Sequence, residues 1–218
     1  MRCIILLMVL VFSSNWMNAQ VGYQLDFSRH AYQVNGSGSN SPYESIHSLG
    51  GQIGIQYWWR LKNRRVEFTP GFHIATDIGR KNSFQNYNLT NIQAALLVPV
   101  LIYPLSFKDD CNCPTFKKQG TIFKKGLHFI VQPGLSVNRR NIAHDSIATS
   151  DVTSTAVLGI GAGLDLGLNR SLTLTPFALY QVELNDKIKI DNHTVLEAGH
   201  NSIHAGLRIR IHQSKSRF

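Results

Sequence analysis

In the segment from Asn201 to His212, an apolar residue stands at every second position from Ile203 onward. The apolar residues are Ile203, Ala205, Leu207, Ile209 and Ile211, and the polar ones include His204, Arg208, Arg210 and His212. Because successive strand residues point to opposite faces, this segment has one apolar face and one charged face. A soluble sheet would turn the apolar face inward, whereas a membrane barrel turns it to lipid and turns the arginines into a polar lumen.

The first nineteen residues have the pattern of a secretory signal peptide. Arg2 precedes an apolar run over residues 3–12, and a polar stretch ends at Ala19, before Gln20. The apolar run is too short to span a bilayer as a helix. We therefore predict export, with residues 1–19 as the signal peptide and residues 20–218 as the mature domain.

Eight further segments have strand character. They cover residues 21–34, 46–61, 65–78, 89–107, 126–139, 152–169, 171–184 and 201–212. A soluble strand commonly has roughly five or six residues, whereas a tilted strand needs about nine to eleven to cross a bilayer. These lengths predict an all-β protein, an eight-stranded antiparallel up-and-down transmembrane β-barrel that occupies the outer membrane.

The connections between the segments alternate in length. Those after the first, third, fifth and seventh segments are long and polar (35–45, 79–88, 140–151, 185–200), and those after the second and sixth are tight (62–64, 169–170). Short periplasmic turns and longer outer loops are typical of outer-membrane barrels whose termini both lie in the periplasm. Only the fourth connection, residues 108–125, is longer than this pattern predicts.

Aromatic residues and prolines add detail to the predicted strands. The aromatic residues Tyr23, Tyr57, Trp59, Phe68, Tyr103 and Phe107 fall toward the periplasmic end, where rings with one wet and one apolar side favour the membrane interface. The prolines at 70, 99, 104, 133 and 176 each remove a hydrogen-bond donor from the sheet. They predict bulges or strand ends at those positions.

The inward positions of the segments carry charges of both signs. The predicted lumen charge network consists of Asp26, Arg60, Glu67, Asp77, Asp165, Glu183, Arg208 and Arg210. Opposite charges in a narrow barrel should pair, because an unpaired buried charge is expensive. An eight-stranded interior is just wide enough for side chains to fill, so the prediction is a plugged barrel, with a narrow or gated channel as the alternative.

The connection 108–125 holds both cysteines of the mature chain, Cys111 and Cys113. In an oxidising compartment a local disulfide is the first expectation, and an inter-chain link and a metal site stay open as alternatives. The connection is also rich in lysine, in a chain with 22 Lys and Arg against 13 Asp and Glu. Such basic residues could meet anionic headgroups or an acidic protein partner, and a nucleic-acid partner is not expected for an exported barrel.

One sequence pattern suggests enzyme chemistry. In His200-Asn201-Ser202 the histidine and serine have the spacing of a class of lipid A deacylases, and Glu197 and His204 are close by. A serine needs an adjacent base and an orienting acid to act as a nucleophile. The surrounding residues do not reproduce the deacylase motif, so we predict a non-enzymatic protein without a cofactor, a catalytic residue or a metal ligand.

Taken together, the chain resembles the small outer-membrane β-barrel proteins of Bacteroidota, the group that includes PorT-like and outer-membrane-protein-A or X-like barrels. The resemblance rests on the signal ending in Asn18-Ala19-Gln20, on the eight alternating segments, and on the aromatic terminus Phe218. Phe218 follows a polar segment beyond His212, whereas the family pattern places the aromatic residue at the end of the last strand. The resemblance implies a structural, assembly or protein-interaction component of the outer membrane, with a small passive channel as the alternative.

Overall fold

The computed structural model describes residues 20–34, 44–61, 64–82, 86–106, 126–144, 147–169, 171–184, 187–191, 194–197 and 199–211. The strands are β1 Gln20–Val34, β2 Glu44–Arg60, β3 Val66–Phe68, β4 Gly71–Asn82, β5 Asn86–Leu97, β6 Val100–Ile102, β7 Leu127–His144, β8 Ile147–Leu164, β9 Leu166–Gly167, β10 Leu172–Leu184, β11 Lys187–Asp191, β12 Thr194–Glu197 and β13 Gly199–Ile211. A 3₁₀ turn spans Pro104–Ser106. No helix in these ranges is long and apolar enough to cross a membrane.

The strands close into a barrel, because β1 pairs with β2 on one side and with the last strand, β13, on the other. All of these pairings are antiparallel, and sequence neighbours pair around the rest of the wall. Three wall strands are interrupted: β3 continues into β4, β5 into β6, and β8 into β9. The wall therefore has eight strands, and the predicted antiparallel eight-stranded barrel is confirmed.

The two faces of the wall differ in the way that the alternation predicted. Outward residues are apolar and exposed, with Leu49 at 71% and Ile78 at 67% of full exposure. Inward residues include Asp26, His73 and Arg208, which are at most 1% exposed. An apolar surface around a polar interior is the reverse of a soluble protein and suits a wall surrounded by lipid.

Only some of the prolines lie at strand interruptions. Pro70 and Pro99 lie in the breaks before β4 and β6, and Pro104 begins the 3₁₀ turn, as predicted. The prediction is wrong for Pro133 and Pro176, which lie inside β7 and β10.

The register explains why these two strands tolerate a proline. The carbonyl of Pro133 accepts a hydrogen bond from the N–H of Val98, at 2.8 Å, in the break between β5 and β6. A strand residue directs its N–H and its C=O to the same neighbour, so the missing donor of Pro133 faces that break. Pro176 follows the β10 residues that pair with β9 and precedes Phe177, the first that pairs with β8, so it likewise lies at the β8–β9 break and each proline stands where the neighbouring strand is interrupted.

The outer ends of the strands are longer than predicted. β4 extends to Asn82 and β5 begins at Asn86, while β7 extends to His144 and β8 begins at Ile147. The predicted loops 79–88 and 140–151 are therefore wrong over most of their length, and the connection 185–200 contains the hairpin of β11 and β12. Above the membrane both faces of a strand meet water, so strand residues there are polar and have the composition of a loop.

Inward glycines make room for the largest lumen side chains. A Cβ atom at Gly54 would lie 2.3 Å from Nδ1 of His73, and one at Gly163 would lie 2.6 Å from Nε2 of His128. A Cβ atom does not approach another heavy atom so closely, so only glycine lets these imidazoles lie over the directly paired residue of the adjacent strand. The glycines thus help to position the polar side chains of the lumen.

Candidate functional site: the lumen network

The buried polar side chains of the lumen fall into groups along the barrel axis. The periplasmic cluster lies at the end where β1 begins and β13 ends, and comprises Trp58, Glu67, Tyr103, His128, Asp165, Thr175 and Arg210. The middle cluster comprises Gln24, Asp26, Gln52, Gln56, His73, Ser202, His204 and Arg208. The outer cluster, at the opposite end, comprises Gln93, Asn138, Arg140, Thr155, Glu183 and His200.

The periplasmic cluster is organised around Arg210, whose guanidinium contacts two carboxylates. Its Nη1 donates to Oε2 of Glu67 at 2.9 Å, and its Nη2 forms an ion pair with Asp165. Trp58 Nε1 donates to the same Glu67 oxygen at 2.8 Å, and the Thr175 hydroxyl donates to Asp165 Oδ1 at 2.7 Å. Charge-assisted hydrogen bonds of this kind are roughly twice as strong as neutral ones, so Arg210 joins β3, the β8–β9 break and β13.

Tyr103 bridges the two carboxylates of this cluster. Its hydroxyl lies 2.9 Å from Oε2 of Glu67 and 2.6 Å from Oδ2 of Asp165. A phenol has one proton and can donate to only one of these oxygens at a time, so the two carboxylates also depend on Arg210. The prediction of Tyr103 as an interfacial aromatic residue is wrong, because its ring is fully buried inside the barrel.

The middle cluster connects side chains of β1, β2, β4 and β13. Asp26 accepts from Nε2 of Gln24 at 2.7 Å, and Oε1 of Gln24 accepts from Nη2 of Arg208 at 3.0 Å. On the adjoining strands β2 and β4, Gln52 Nε2 lies 2.7 Å from Nδ1 of His73. Arg208 therefore binds a neutral amide oxygen, in contrast to Arg210.

Within the middle cluster, Ser202, His204 and Asp26 have the spacing of a nucleophilic triad. The Ser202 hydroxyl lies 2.9 Å from Nε2 of His204, and Nδ1 of His204 lies 2.9 Å from Oδ1 of Asp26. These distances match the hydrogen bonds of a serine, its base and an orienting acid. However, Ser202 is only 2% exposed, and a nucleophile must be reached by its substrate. The geometry accordingly fits a buried hydrogen-bond chain.

The outer cluster is organised around one carboxylate, that of Glu183. Its two oxygens accept hydrogen bonds from Gln93 at 2.7 Å, Asn138 at 2.9 Å, Thr155 at 3.2 Å and Arg140 at 3.3 Å. His200 Nδ1 also lies 3.1 Å from Glu183 Oε1. The charge of Glu183 is thus shared among donors from three strands, β5, β7 and β8, with the His200 ring of β13 close by.

Asp77 forms a similar site beside the outer cluster. Its carboxylate accepts from the Tyr32 and Ser48 hydroxyls, each at 2.8 Å, and from the Asn91 amide at 2.9 Å. The Tyr32 ring stacks on His200 with centroids 4.3 Å apart. This contact joins the Asp77 site to the outer cluster.

An apolar strip fills the side of the lumen that lies along β5 to β10. It comprises Leu97, Leu101, Ile130, Val157, Phe177 and Leu179, all buried. Apolar side chains offer no hydrogen-bond partner to water. The strip and the polar clusters therefore fill the lumen together, at several levels along the barrel axis. The described residues contain no group of three or more His, Cys, Asp or Glu side chains placed to hold a metal ion.

The structure brings together most of the residues of the predicted charge network. Glu67, Asp165 and Arg210 meet directly, and Asp26 and Arg208 share Gln24. Asp77 binds neutral donors, and Glu183 binds neutral donors and Arg140. Arg60 is half-buried at the end of β2 and is not a member of the clusters defined above. Cys111, Cys113 and the predicted signal peptide lie outside the described residues.

Sequence reasoning missed three members of the network: Tyr103, Arg140 and His200. Arg140 was placed in an outer loop, although Ser136, Asn138 and Arg140 continue the inward alternation of β7. That alternation was the available signal for Arg140. Tyr103 follows a strand break after β6, where a face cannot be assigned from spacing.

Comparison with known proteins gives a fold and no family. No family model matches the chain, and no curated protein matches it significantly. Among solved structures, Ail, the attachment invasion locus protein of Yersinia pestis, is 9% identical with a TM-score of 0.50, and the match covers 89% of this chain and 99% of Ail. Neisserial surface protein A is 15% identical with a TM-score of 0.46 over 87% and 96% of the two chains. The Escherichia coli outer membrane protease OmpT is 6% identical with a TM-score of 0.43 over 91% and 98%.

Similarity at such low identity shows the fold alone. The fold, the exposed apolar wall and the buried polar interior are those of an outer-membrane β-barrel, and the predicted location in the outer membrane is confirmed. Because one fold can carry many functions, the choice between enzyme and non-enzyme rests on the lumen and its side chains.

Proposed function

We propose that the protein is a non-conducting, non-enzymatic barrel that serves as a structural, assembly or protein-interaction component of the outer membrane. The observation that carries this proposal is the filled interior. Arg210, Arg208 and Glu183 are each at most 4% exposed, and their contacts extend through the periplasmic, middle and outer clusters. Charge-assisted hydrogen bonds between strands, such as those of Arg210 and Glu183, hold the wall strands together, and a filled lumen leaves function to the surfaces at the two ends.

The filled interior disfavours the channel alternative. Water and ions need a continuous polar path, but Tyr103 and the side chains of the apolar strip are buried by contact with their neighbours. Opening such a path requires the ion pairs of Arg210 to separate, at a cost that is high for buried charges. Conductance is therefore not expected for the resting barrel.

The same burial disfavours the lipid A enzyme alternative. His204 and Asp26 would orient Ser202 as in a nucleophilic triad, yet all three face the lumen and are at most 2% exposed. Lipid A would have to reach Ser202 from the membrane, on the other face of β13. The side chains of that outer face are Ile203 and Ala205, which carry no catalytic group.

The contact surfaces of this proposal are the outer strand ends and the periplasmic connection 108–125. The outer ends of β7 and β8 belong to strands of 18 residues each, well above the about nine to eleven that a bilayer requires. The connection 108–125, with Cys111 and Cys113, is the proposed site for a protein partner. On the sequence resemblance alone, we also propose that the protein belongs to the small outer-membrane barrels of Bacteroidota.

The test is purification from the native outer membrane in mild detergent without reductant, followed by mass spectrometry and by gel mobility of boiled and unboiled samples. A faster unboiled band with a stoichiometric partner supports the proposal. Cys111→Ser/Cys113→Ser serves as a matched variant, because loss of the partner in that variant alone assigns the contact to the connection. A heat-modifiable barrel that never retains a partner contradicts the interaction role, and native lipid A that changes its acylation on expression contradicts the non-enzymatic role.

A further inference from the structure

Two exposed arginines lie on the lipid-facing side of the wall, Arg29 on β1 and Arg139 on β7. Both occupy positions of the outward alternation, next to inward residues that are buried. In the strand order of the wall, β2, the β3–β4 strand and the β5–β6 strand separate β1 from β7 on one side, and the β8–β9 strand, β10 and β13 separate them on the other. The two arginines therefore lie on opposite sides of the barrel.

The neighbours of Arg29 toward the membrane centre are apolar. Phe27 precedes it on the same face and is 70% exposed, while the register places Leu49 and Ile203 directly across from Arg29 on the two adjoining strands. One step further out, the residues across from Ala31 are the exposed His47 and the half-buried Asn201. Arg29 thus stands where the outward face changes from apolar to polar.

Arg139 stands at the same transition on the opposite side. Val137 precedes it on its face, and the register places Ile92 and Val152 directly across from it, all of them exposed and apolar. One step further out are Asn141 and Ser150, which pair with each other and are both exposed. Since β1 begins and β13 ends at the end of the barrel that is predicted to be periplasmic, both arginines lie toward the outer leaflet.

Neither guanidinium has a hydrogen-bond or ion-pair partner among the residues that the structure describes. An unpaired arginine on the lipid face costs about 2–4 kcal/mol at the bilayer midplane, and little near the interface. The position of Arg29 and Arg139 avoids that cost and leaves two planar donor groups directed at the headgroup layer. Arginine binds phosphate through paired, charge-assisted hydrogen bonds.

We propose that Arg29 and Arg139 bind phosphate groups of a phosphorylated glycolipid, of the lipid A type, in the outer leaflet, one on each side of the barrel. The exposed apolar residues beside each arginine pack against the acyl chains of the same lipid. This second contact distinguishes a lipid headgroup from free phosphate, which has nothing to place against Phe27 or Val152. Two opposite phosphate contacts would fix the depth of the barrel in the membrane.

Titration of the purified, detergent-solubilised full chain with bisphosphorylated lipid A, monophosphorylated lipid A and phosphatidylethanolamine, followed by native mass spectrometry, tests the proposal. The bound fraction should fall in that order for the wild type. Each basic residue near an anionic surface contributes roughly 1 kcal/mol, so Arg29→Gln or Arg139→Gln should weaken bisphosphorylated lipid A binding about fivefold at the altered site and leave the site on the other side unchanged. The double variant should weaken both sites about fivefold by the same reasoning.

Two matched variants complete the test. Arg29→Lys/Arg139→Lys keeps both charges but loses the paired donors, and should weaken binding less than the double glutamine variant. Arg60→Gln removes a charge at the periplasmic end and should change nothing. Unchanged affinity in the double glutamine variant, or an equal loss in Arg60→Gln, overturns the proposal. Displacement of lipid A by an equal concentration of inorganic phosphate also overturns it, in favour of a simple anion site, and heat-modifiable mobility verifies that each variant is folded.

Discussion

The periplasmic and outer clusters bind buried charge in opposite ways. In the periplasmic cluster one cation, Arg210, lies between two carboxylates, Glu67 and Asp165. In the outer cluster one carboxylate, Glu183, accepts hydrogen bonds from Arg140 and three neutral side chains. In the first arrangement both carboxylates share the cation Arg210, whereas the second distributes its charge over several donors.

Because of this difference, the periplasmic and outer clusters should respond differently to mutation. Where a buried charge has a single counter-charge, removal of that counter-charge leaves the buried charge uncompensated. Where a group has several donors, the loss of one leaves the others in place, and the cost is that of a single hydrogen bond. The periplasmic end should thus be sensitive and the outer end tolerant.

The largest effect is expected for Arg210→Met. It leaves Glu67 and Asp165 buried without their cation, and breaking a buried pair costs about 3–5 kcal/mol. Denaturant unfolding in lipid vesicles, followed by tryptophan fluorescence and gel mobility, measures the loss.

Arg208→Met is the matched control for that variant, because Arg208 is equally buried on β13 but binds the neutral Gln24 oxygen. It should cost about 1–3 kcal/mol. The triple variant Arg210→Met/Glu67→Gln/Asp165→Asn should recover part of the loss, since no charge remains unpaired. Equal costs for the two single arginine variants would remove the distinction between the clusters.

Glu183→Gln should have a smaller effect than Arg210→Met. It removes the carboxylate contact of Arg140, but Arg140 keeps other interactions, including that with the Tyr32 ring, and the amide oxygen still accepts from Gln93, Asn138 or Thr155. A lost hydrogen bond to a charged group costs about 1.5–3 kcal/mol. The same unfolding assay applies, and a cost as large as that of Arg210→Met would contradict the tolerance assigned to the outer end.

Thr155→Val tests the donors of Glu183 one at a time. The change is nearly isosteric and removes one of several hydrogen bonds to Glu183, so the loss should lie at the lower end of the roughly 1.5–3 kcal/mol range for a bond to a charged group, because the other donors remain. Ser136, whose hydroxyl lies 2.7 Å from that of Thr155, offers the control variant Ser136→Ala, which spares Glu183. A cost for Thr155→Val above that of Glu183→Gln would show that the donors do not substitute for one another.

The smallest effect is expected for Ser202→Ala. The serine is a member of a buried hydrogen-bond chain, so lipid A acylation in an expressing strain should be identical with and without the hydroxyl. A fluorophosphonate probe should leave Ser202 of the folded wild-type barrel unlabelled. Labelling of the wild type that disappears in Ser202→Ala would instead establish a reactive triad.

The sequence predicted the architecture because alternation is a local property. Each strand of the wall has one face toward lipid and one toward the lumen. The faces of residues such as Ile53, outward, and Gln52, inward, can therefore be assigned without knowledge of the rest of the chain. The outer strand ends were misassigned because both of their faces meet water. The alternation that would identify Arg140 as a lumen residue is obscured in a segment of polar composition.

The partners inside the lumen could not be predicted in the same way. Glu67 and Arg210 are 143 positions apart, and they meet because of the stagger between strands around the closed wall. Stagger depends on all the strand registers together, including the breaks at Pro70, Pro99 and Asp165. The sequence therefore indicated which side chains are inward, but not which of them are paired.

The central claim, that side chains fill the lumen and prevent conduction, is tested most directly by ion conductance of the wild-type protein in planar bilayers. A general porin purified in the same detergent provides the positive control. The account predicts a current indistinguishable from the detergent background at all voltages that the bilayer withstands. Discrete, reproducible conductance steps from the folded, heat-modifiable wild-type barrel would contradict it and would make the protein a channel.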